Sequence, residues 1–347
     1  MATRQGAKSK VRFDTPSSSP AYSLYICVIA ILAGYYAHPS ESNPVHPFIF
    51  LSYPESTDKN GETLYGKGPK DLLFVAFYGL ILLAARDFTR QITSRSLASS
   101  LSIKGATIEK FTQQLWQGVY FAFIALFGLY VMTQTPMWYF HMPGLFEGFP
   151  HRQLIAPFKV FYLLHSGNWI QQAAVTFLGL EKSRKDNFVM SAHHVVTLLA
   201  IPLVYMAHLT HFALVLIIPH DVSDALLAFA KCISYTTKNP YVSMPYFAFF
   251  VGNWIYWRHY IGGITFWTLL TKYRPAITEA YGWEDEQWKA ATLHGIVVVL
   301  FGALQVMNAY WLFLILRITM KSVFGGEVPT DERESDEEEE GIKAKGE

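Results

Sequence analysis

The sequence predicts an all-α integral membrane protein with about eight transmembrane helices. Of its 347 residues, 51% are hydrophobic and only 16% are charged, against about a quarter charged in a typical soluble domain. The apolar residues are grouped into blocks near the length of about 20 residues that an α-helix needs to cross a bilayer. Lysine and arginine gather in alternate connections between those blocks, which is the charge pattern of a multi-pass membrane protein.

Eight apolar blocks are candidates for spanning helices. They cover roughly residues 20–37, 70–85, 114–133, 154–180, 189–208, 212–231, 244–271 and 289–317. Very few residues separate the fifth block from the sixth, so these two are expected to form a tight antiparallel hairpin. With eight spans, the basic connections all lie on one side, and the positive-inside rule then places both chain termini in the cytosol.

The two ends of the chain differ in charge. Residues 1–19 form a polar, basic segment, and residues 321–347 form a segment rich in Asp and Glu. Both are expected to be disordered cytosolic tails, because neither offers enough apolar surface to fold. Residues 20–105 would contain the first two transmembrane helices and a linker.

Several classes of protein are disfavoured. The net charge is +1 and no large basic field is present, so nucleic acid is not expected as a partner. The two cysteines, Cys27 and Cys232, are far apart and lie in or beside apolar blocks, which indicates small apolar side chains rather than a disulfide. His208 and His211 have a spacing that suits a metal, but too few further histidines accompany them, and no metal is predicted.

Ionisable residues within the apolar blocks are the strongest functional signal. His193 and His194 begin the fifth block, Asp221 and Asp224 lie in the sixth, and Arg258 lies in the middle of the seventh. Charged groups are costly in a membrane and usually face a protein interior or an aqueous cavity. At about 1.5 Å rise per residue, the His pair and the Asp pair differ in depth by only a few ångströms. We therefore expect the two pairs to face each other in the cytosolic half of the membrane.

Two other interpretations of these residues exist. A single intramembrane histidine is often only a hydrogen-bond partner between helices, but two histidines and two aspartates at matched depth favour a functional site. Intramembrane His and Asp also relay protons in transporters, although the inverted repeats with broken helices of that class are not seen in this sequence. Adjacent helical residues point about 100° apart, so one of His193 and His194 is expected to do chemistry while the other packs or anchors.

The same residues resemble the Lag motif of the ceramide synthase family, which lies within a TLC domain. The motif here is His193-His194-Val-Val-Thr-Leu-Leu, then His208, then Asp221-Val-Ser-Asp224. Further matching segments are 158–164, 169–172, 184–186, 254–258 and 308–317. The resemblance covers roughly residues 70–320. It implies that residues 106–320 are the catalytic domain and that six helices form a TLC-type barrel around a lipid cavity.

The resemblance also implies a reaction. A fatty acyl group would pass from acyl-CoA to the amine of a sphingoid base, giving a dihydro- or phytoceramide and free CoA. A histidine would act as base or as nucleophile, with an aspartate orienting its ring. The catalytic residues would be His193, His194, Asp221 and Asp224. The substrate-binding residues would be Arg258, Tyr162, Trp169, Gln172 and Lys185. No cofactor is expected, since acyl-CoA is a co-substrate.

Location and partners follow from the resemblance alone. It implies the endoplasmic reticulum membrane, contact with membrane lipids, a small single-pass accessory subunit, and a homo- or heterodimer. The acidic tail around Ser335 looks like that of fungal members and implies a phosphorylation site there. One rival within the same domain family is a non-catalytic lipid sensor or carrier. Paired His and Asp residues argue against it, because a carrier has no need of a base.

Overall fold

A computed structural model describes residues 20–100, 103, 106–178, 185–237 and 239–325. Ser335 and the expected basic tail 1–19 lie outside these residues, as do three predicted cytosolic basic residues, Lys182, Arg184 and Lys238. Within the described part, the chain is built almost entirely of helices, and the predicted all-α membrane class is confirmed.

The helices follow the apolar blocks closely. They are α1 (Pro20–Ala37), α2 (His46–Ile49), α3 (Asp71–Ser100), α4 (Ala106–Thr133), α5 (Ala156–Phe177), α6 (Asn187–Met206), α7 (Thr210–Thr236), α8 (Pro240–Trp254), α9 (Gly262–Thr268), α10 (Arg274–Tyr281) and α11 (Gln287–Gly325). Two π-helical segments, Ile255–Ile261 and Leu269–Tyr273, join α8, α9 and α10 into one continuous helical path. Short 3₁₀ turns cover Trp138–Phe140 and Met142–Leu145.

Five of these helices are long and apolar enough to cross a bilayer, namely α3, α4, α6, α7 and α11. The apolar part of α1, Tyr22–Ala37, is shorter. Helix α5 is not among the five because it carries polar residues, such as His165, Asn168 and Gln171, which reduce its mean hydropathy. These residues are buried inside the protein. The count of eight spans therefore stays a prediction.

Helix α7 lies at the centre of the molecule, with 61% of its apolar window buried. It packs against α4 along most of their shared length. Gly118 and Gly128 of α4 allow this close approach, since a Cβ at Gly128 would lie 2.8 Å from the Ile218 side chain and a Cβ at Gly118 would lie 2.9 Å from the Phe229 ring. Small residues at contacts are how membrane helices come together without a hydrophobic driving force.

A small cap covers one end of the helices, where α5 begins and α6 turns into α7; we call this the cap end and the opposite end the tail end. Its three-stranded antiparallel sheet has the order β1 (Pro54–Thr57), β2 (Thr63–Tyr65), β3 (Leu154–Ile155). The fully buried Lys159 donates to the carbonyls of Ser52 at 2.8 Å and Gly66 at 2.7 Å. It also forms an ion pair with Asp71 at 2.8 Å. These contacts attach the cap to α5 and α3.

A second lysine in the cap makes stability depend on pH. Lys67 Nζ donates to the Tyr205 carbonyl at 3.1 Å and lies 3.3 Å from His208 Nδ1. Burial, and then the charge of Lys159, lower the pKa of Lys67 to about 7. The unfolded chain keeps the ordinary lysine pKa of about 10.4 and so binds more protons between those two values. The folded state should therefore become more stable as pH rises from 7 towards 10.

Thermal unfolding in detergent at pH 7 and pH 9 checks this expectation. The rise in melting temperature over that interval should be larger in wild type than in Lys67→Met. The exposed Lys59 of the same cap supplies the control, since Lys59→Met should keep the wild-type rise. Equal pH slopes for wild type and Lys67→Met would contradict the expectation.

Candidate active site

His194 is anchored by a hydrogen bond at the tail end of α6. Its Nε2 lies 3.0 Å from the Thr176 hydroxyl, and that hydroxyl donates its single proton to the Gln172 carbonyl at 3.0 Å. Thr176 must therefore accept a hydrogen bond from the Nε2–H of His194. The Nε2 of His194 carries hydrogen in this arrangement, so its lone pair is not available for chemistry.

His193 is held differently, between two tryptophan rings. Trp169 contacts it edge-on at a centroid distance of 5.1 Å, and Trp311 does so at 5.4 Å. The Trp311 indole donates to Asp186, the residue just before α6, at 3.3 Å. The Nδ1 of His193 is buried without a hydrogen-bond partner among the described residues. Van der Waals contacts thus position this ring, and they leave Nδ1 without a hydrogen bond to the described residues.

Two kinds of cavity meet at His193. Towards the tail end lies a mixed polar cavity of about 670 Å³, which we call the vestibule. Its lining includes His193, His194, Asp224, Lys231 and Arg258. Towards the cap end run two contiguous, largely apolar cavities of about 480 Å³ and 290 Å³, which we call the tunnel.

The tunnel passes between α5, α6, α7 and α11. Its two parts share the residues Ala200, Val204, Leu216 and Leu304. His193 is among the residues that line both the vestibule and the tunnel, whereas His194 lines the vestibule. The first histidine of the pair therefore stands where a polar compartment becomes an apolar one.

The structure pairs Asp221 with a histidine that sequence reasoning missed. Asp221 Oδ2 lies 3.6 Å from Nδ1 of His165, and both side chains are buried. The Nε2 of His165 accepts a hydrogen bond from the Trp169 indole at 2.6 Å, so a neutral His165 carries its proton on Nδ1, facing Asp221. Asp221 thus reaches His193 through His165 and Trp169, and not by the direct hydrogen bond that was expected. An ionisable residue inside the fourth apolar block was the available signal.

Asp224 and Arg258, which was predicted to bind substrate, form an ion pair at 2.5 Å. The guanidinium also donates to the Asn308 side chain at 3.0 Å and to the His220 carbonyl at 3.2 Å. Arg258 lies in the π-helical segment after α8. Such segments often occur at functional sites, and this one joins α7 and α11 beside the vestibule.

A third cavity, the polar crevice, lies between α3, α4 and α5 and has a volume of about 360 Å³. Three buried polar atoms in its lining have no hydrogen-bond partner among the described residues: Tyr120 Oη, Asn168 Nδ2 and Gln171 Nε2. The crevice shares Gln117, Phe121 and Gln172 with the vestibule. Buried groups of this kind cost free energy unless water or a ligand satisfies them.

The other predicted binding residues fall into two groups. Tyr162 lines the tunnel and donates its hydroxyl to the Ile201 carbonyl, Trp169 lines both the tunnel and the vestibule, and Gln172 lines the vestibule. Lys185 is exposed just before α6 begins. The structure therefore brings three of these side chains to the cavities and places Lys185 at the tail-end surface.

His208 and His211 make separate contacts in the structure. His208 lies in the turn between α6 and α7 with a φ of 54°, and His211 Nδ1 contacts the Gly144 carbonyl at 3.1 Å. The two histidines thus lie in the predicted hairpin turn and at the start of α7, each with its own contacts. Over the described residues, no group of three or more His, Cys, Asp or Glu side chains is placed to hold a metal.

Comparison with known proteins agrees with the resemblance seen in the motif. The TLC domain family model matches residues 110–317. Sphingosine N-acyltransferase lac1 of Schizosaccharomyces pombe is 36% identical over 325 residues, which cover 93% of this chain and 83% of that protein. This chain belongs to the ceramide synthase family of TLC-domain proteins. Ceramide synthase LAG1 of Saccharomyces cerevisiae is 34% identical over 329 residues, covering 92% of this chain and 78% of that protein.

Membership of the ceramide synthase family confirms the resemblance read from the Lag motif. The matched region runs from Lys110 in the first turns of α4 to Arg317 of α11, and it contains the whole of the vestibule and the tunnel lining. The polar crevice extends outside it to α3, through Arg86.

Proposed function

We propose that this protein is a ceramide synthase that transfers a fatty acyl group from acyl-CoA to the amine of a sphingoid base. The observation that carries the proposal is the position of His193, where the polar vestibule meets the apolar tunnel. A thioester with its acyl chain in the tunnel and its CoA portion in the vestibule would have its carbonyl carbon at this histidine. The names of the relatives describe the same reaction.

The cavities suit the two substrates. The tunnel offers an apolar environment to the acyl chain, whose burial is favourable by about 0.8 kcal/mol per methylene. CoA is anionic and enters from the tail end, where Lys185 is exposed and Lys231 lines the vestibule. The hydroxyl groups of the sphingoid base fit the polar crevice, since Tyr120, Asn168 and Gln171 present unsatisfied polar atoms there.

His193 has two chemical routes to the product. As a general base, it removes a proton from the substrate ammonium, and the free amine attacks the thioester carbonyl. As the C–S bond breaks, the second amine proton passes to the departing sulfur, CoA leaves as the thiol, and His193 returns its proton to solvent. As a nucleophile, its nitrogen attacks the thioester, CoA leaves, and the amine then attacks the acyl-imidazole and releases His193. In either route, His194 has a structural role: its Nε2 hydrogen bond to Thr176 attaches α6 to α5 beside the vestibule.

The setting of the reaction is part of the proposal. We place the protein in the endoplasmic reticulum membrane with both termini in the cytosol, so that the vestibule faces the compartment that holds acyl-CoA. The reaction needs no cofactor, because the thioester already carries the energy of the new amide bond. A small single-pass accessory subunit and a second synthase chain are proposed partners.

The decisive experiment measures product with purified protein. Wild type in detergent, given one sphingoid base and a long-chain acyl-CoA, should form N-acyl product and release CoA in equal amounts, read by mass spectrometry and a thiol assay. Mass spectrometry of the protein after acyl-CoA alone separates the routes, since only the nucleophilic route leaves an acyl group on His193.

The rival functions predict other results. A lipid sensor or carrier would bind sphingoid base or acyl-CoA and form no product, even with the accessory subunit co-expressed. A proton-coupled transporter would acidify or alkalinise the lumen of proteoliposomes when substrate is added. Either result in place of product formation would refute the synthase proposal.

A further inference from the structure

His193 is packed between two tryptophan rings that come from different helices. Trp169 belongs to α5 and Trp311 to α11, and their planes meet the imidazole at angles of 67° and 80°. The last torsion of a histidine side chain is broad and roughly two-fold, so hydrogen bonds or close packing must fix the ring. Because His193 Nδ1 has no hydrogen-bond partner among the described residues, the two indoles orient this ring.

Each of these indoles is held through its own N–H group. The Trp169 indole donates to His165 Nε2 at 2.6 Å, and the Trp311 indole donates to Asp186 Oδ2 at 3.3 Å. A buried indole cannot turn away from its acceptor without leaving an unpaired polar group, which costs free energy. The two acceptors therefore determine how each tryptophan lies against His193, and we call each acceptor with its tryptophan a tether.

The first tether extends to Asp221. His165 lies one helical turn before Trp169, on the same face of α5. Its Nε2 accepts from the indole, so its proton is on Nδ1, which lies 3.6 Å from Asp221 Oδ2. The side chains of His165 and Asp221 are only 3% and 1% exposed, so water screens the attraction between the N–H group and the carboxylate poorly. Asp221 thus stabilises the tautomer of His165 that accepts from Trp169.

The second tether begins at the start of α6. Asp186 immediately precedes that helix and lies two helical turns before His193, so the two residues share one face. The Asp186 side chain makes no capping hydrogen bond within the described part of α6, and its carboxylate accepts from the Trp311 indole. One tryptophan of α11 therefore contacts both the start of α6 and the histidine two turns further along it.

We propose that His165 and Asp186 are positioning residues for acyl transfer, which hold the two tryptophans in place and so direct His193 towards the substrate carbonyl. The inference rests on the proposed acyltransferase function. It gives Asp221 an indirect role, since that carboxylate acts on Trp169 through His165. The chemical step should depend strongly on both tethers, because a displacement of about 1 Å at a reacting group can cost about 10²-fold in rate.

Paired substitutions at each acceptor test this role. His165→Leu and Asp186→Leu remove the acceptor, so kcat should fall by about 10- to 100-fold, while KM for acyl-CoA and for the sphingoid base should stay within about threefold of wild type. His165→Gln offers an amide oxygen to Trp169 and an amide N–H to Asp221, and Asp186→Asn still offers an oxygen to Trp311. These two conservative variants should recover kcat to within about threefold of wild type.

Substitution of the indoles distinguishes one tether from two. Trp169→Phe keeps a ring but removes the N–H group, so adding it to His165→Leu should lower kcat by less than about threefold further. Adding Trp311→Phe to His165→Leu breaks both tethers and should lower kcat below that of either single variant. The matched control is Trp257→Phe. The Trp257 N–H is also buried but has no hydrogen-bond partner among the described residues, and its ring lines neither the vestibule nor the tunnel, so this variant should keep the wild-type kcat.

The experiment measures initial rates of N-acyl product formation by purified protein in detergent, with each substrate varied in turn. Size-exclusion profiles and melting temperatures identify any variant that fails to fold, and the tryptophan variant of the same tether then carries the test. A wild-type kcat in folded His165→Leu and Asp186→Leu, or a loss confined to KM, would overturn the inference.

The conservative variants and the wild type separate the remaining outcomes. If His165→Gln is as slow as His165→Leu, the histidine itself takes part in the chemistry and the positioning role is overturned. Either result leaves the synthase proposal intact, because wild type still forms product. No product from wild type would instead refute the synthase proposal.

Discussion

Replacement of His193 by alanine should lower the rate of acyl transfer by about 10³-fold or more, because a positioned general base or nucleophile contributes about 10²–10⁴-fold. The structure distinguishes the roles of His193 and His194, which the sequence motif does not. His193 borders both the vestibule and the tunnel, whereas His194 commits its Nε2 to Thr176. His194→Gln, whose amide can still donate to Thr176, should therefore lose only about tenfold. Initial rates of product formation at saturating substrate check both values.

The control is His141→Ala, since His141 is an exposed histidine in the connection between α4 and α5, and it should keep wild-type activity. The size-exclusion profile and melting temperature of His193→Ala should match those of wild type, because the ring makes only van der Waals contacts with Trp169 and Trp311. Two results would refute the assignment of His193 as the reacting histidine. One is more than a tenth of wild-type activity in folded His193→Ala, and the other is a larger loss of activity in His194→Gln than in His193→Ala.

Loss of Arg258 should both destabilise the protein and inactivate it. Arg258→Met removes the ion pair with Asp224 and the donor to Asn308 and to the His220 carbonyl. Breaking a buried ion pair costs about 3–5 kcal/mol, and we expect about 3 kcal/mol because Asp224 remains 26% exposed. Arg258→Lys should also be less stable than wild type. One ammonium group cannot reach all the partners that the planar guanidinium group of Arg258 contacts.

Thermal unfolding in detergent measures this loss against a matched control. Arg90 on α3 also pairs with carboxylates, Asp87 and Glu109, but its side chain is 53% exposed, and Arg90→Met should cost less than about 1 kcal/mol. The double variant Arg258→Met/Asp224→Leu should recover part of the stability, because it also removes the carboxylate that has lost its ion pair with Arg258, and should stay inactive. Equal melting temperatures for Arg258→Met and Arg90→Met would contradict the structural role of Arg258.

The positions of the helices were predictable because bilayer thickness and apolar run length set them almost directly. The π-helical segments around Arg258 and the small cap sheet were not predicted. A π-helical segment depends on local backbone hydrogen bonding, which no residue pattern in the sequence predicts. The strands of the cap are only two to four residues long and depend on Lys159, which lies some ninety residues from the hairpin that it anchors.

Sequence patterns were sufficient for the family, the membrane class and the set of residues around the site. These follow from length, composition and the spacing of the His and Asp pairs. Tertiary packing decided which residues meet. Asp221 lies against His165 of α5 rather than His193 of α6, because the orientation of α7 about its own axis is set by its contact with α4. The same packing forms the tunnel, since its lining residues come from four helices, α5, α6, α7 and α11, whose mutual distances no single helix encodes.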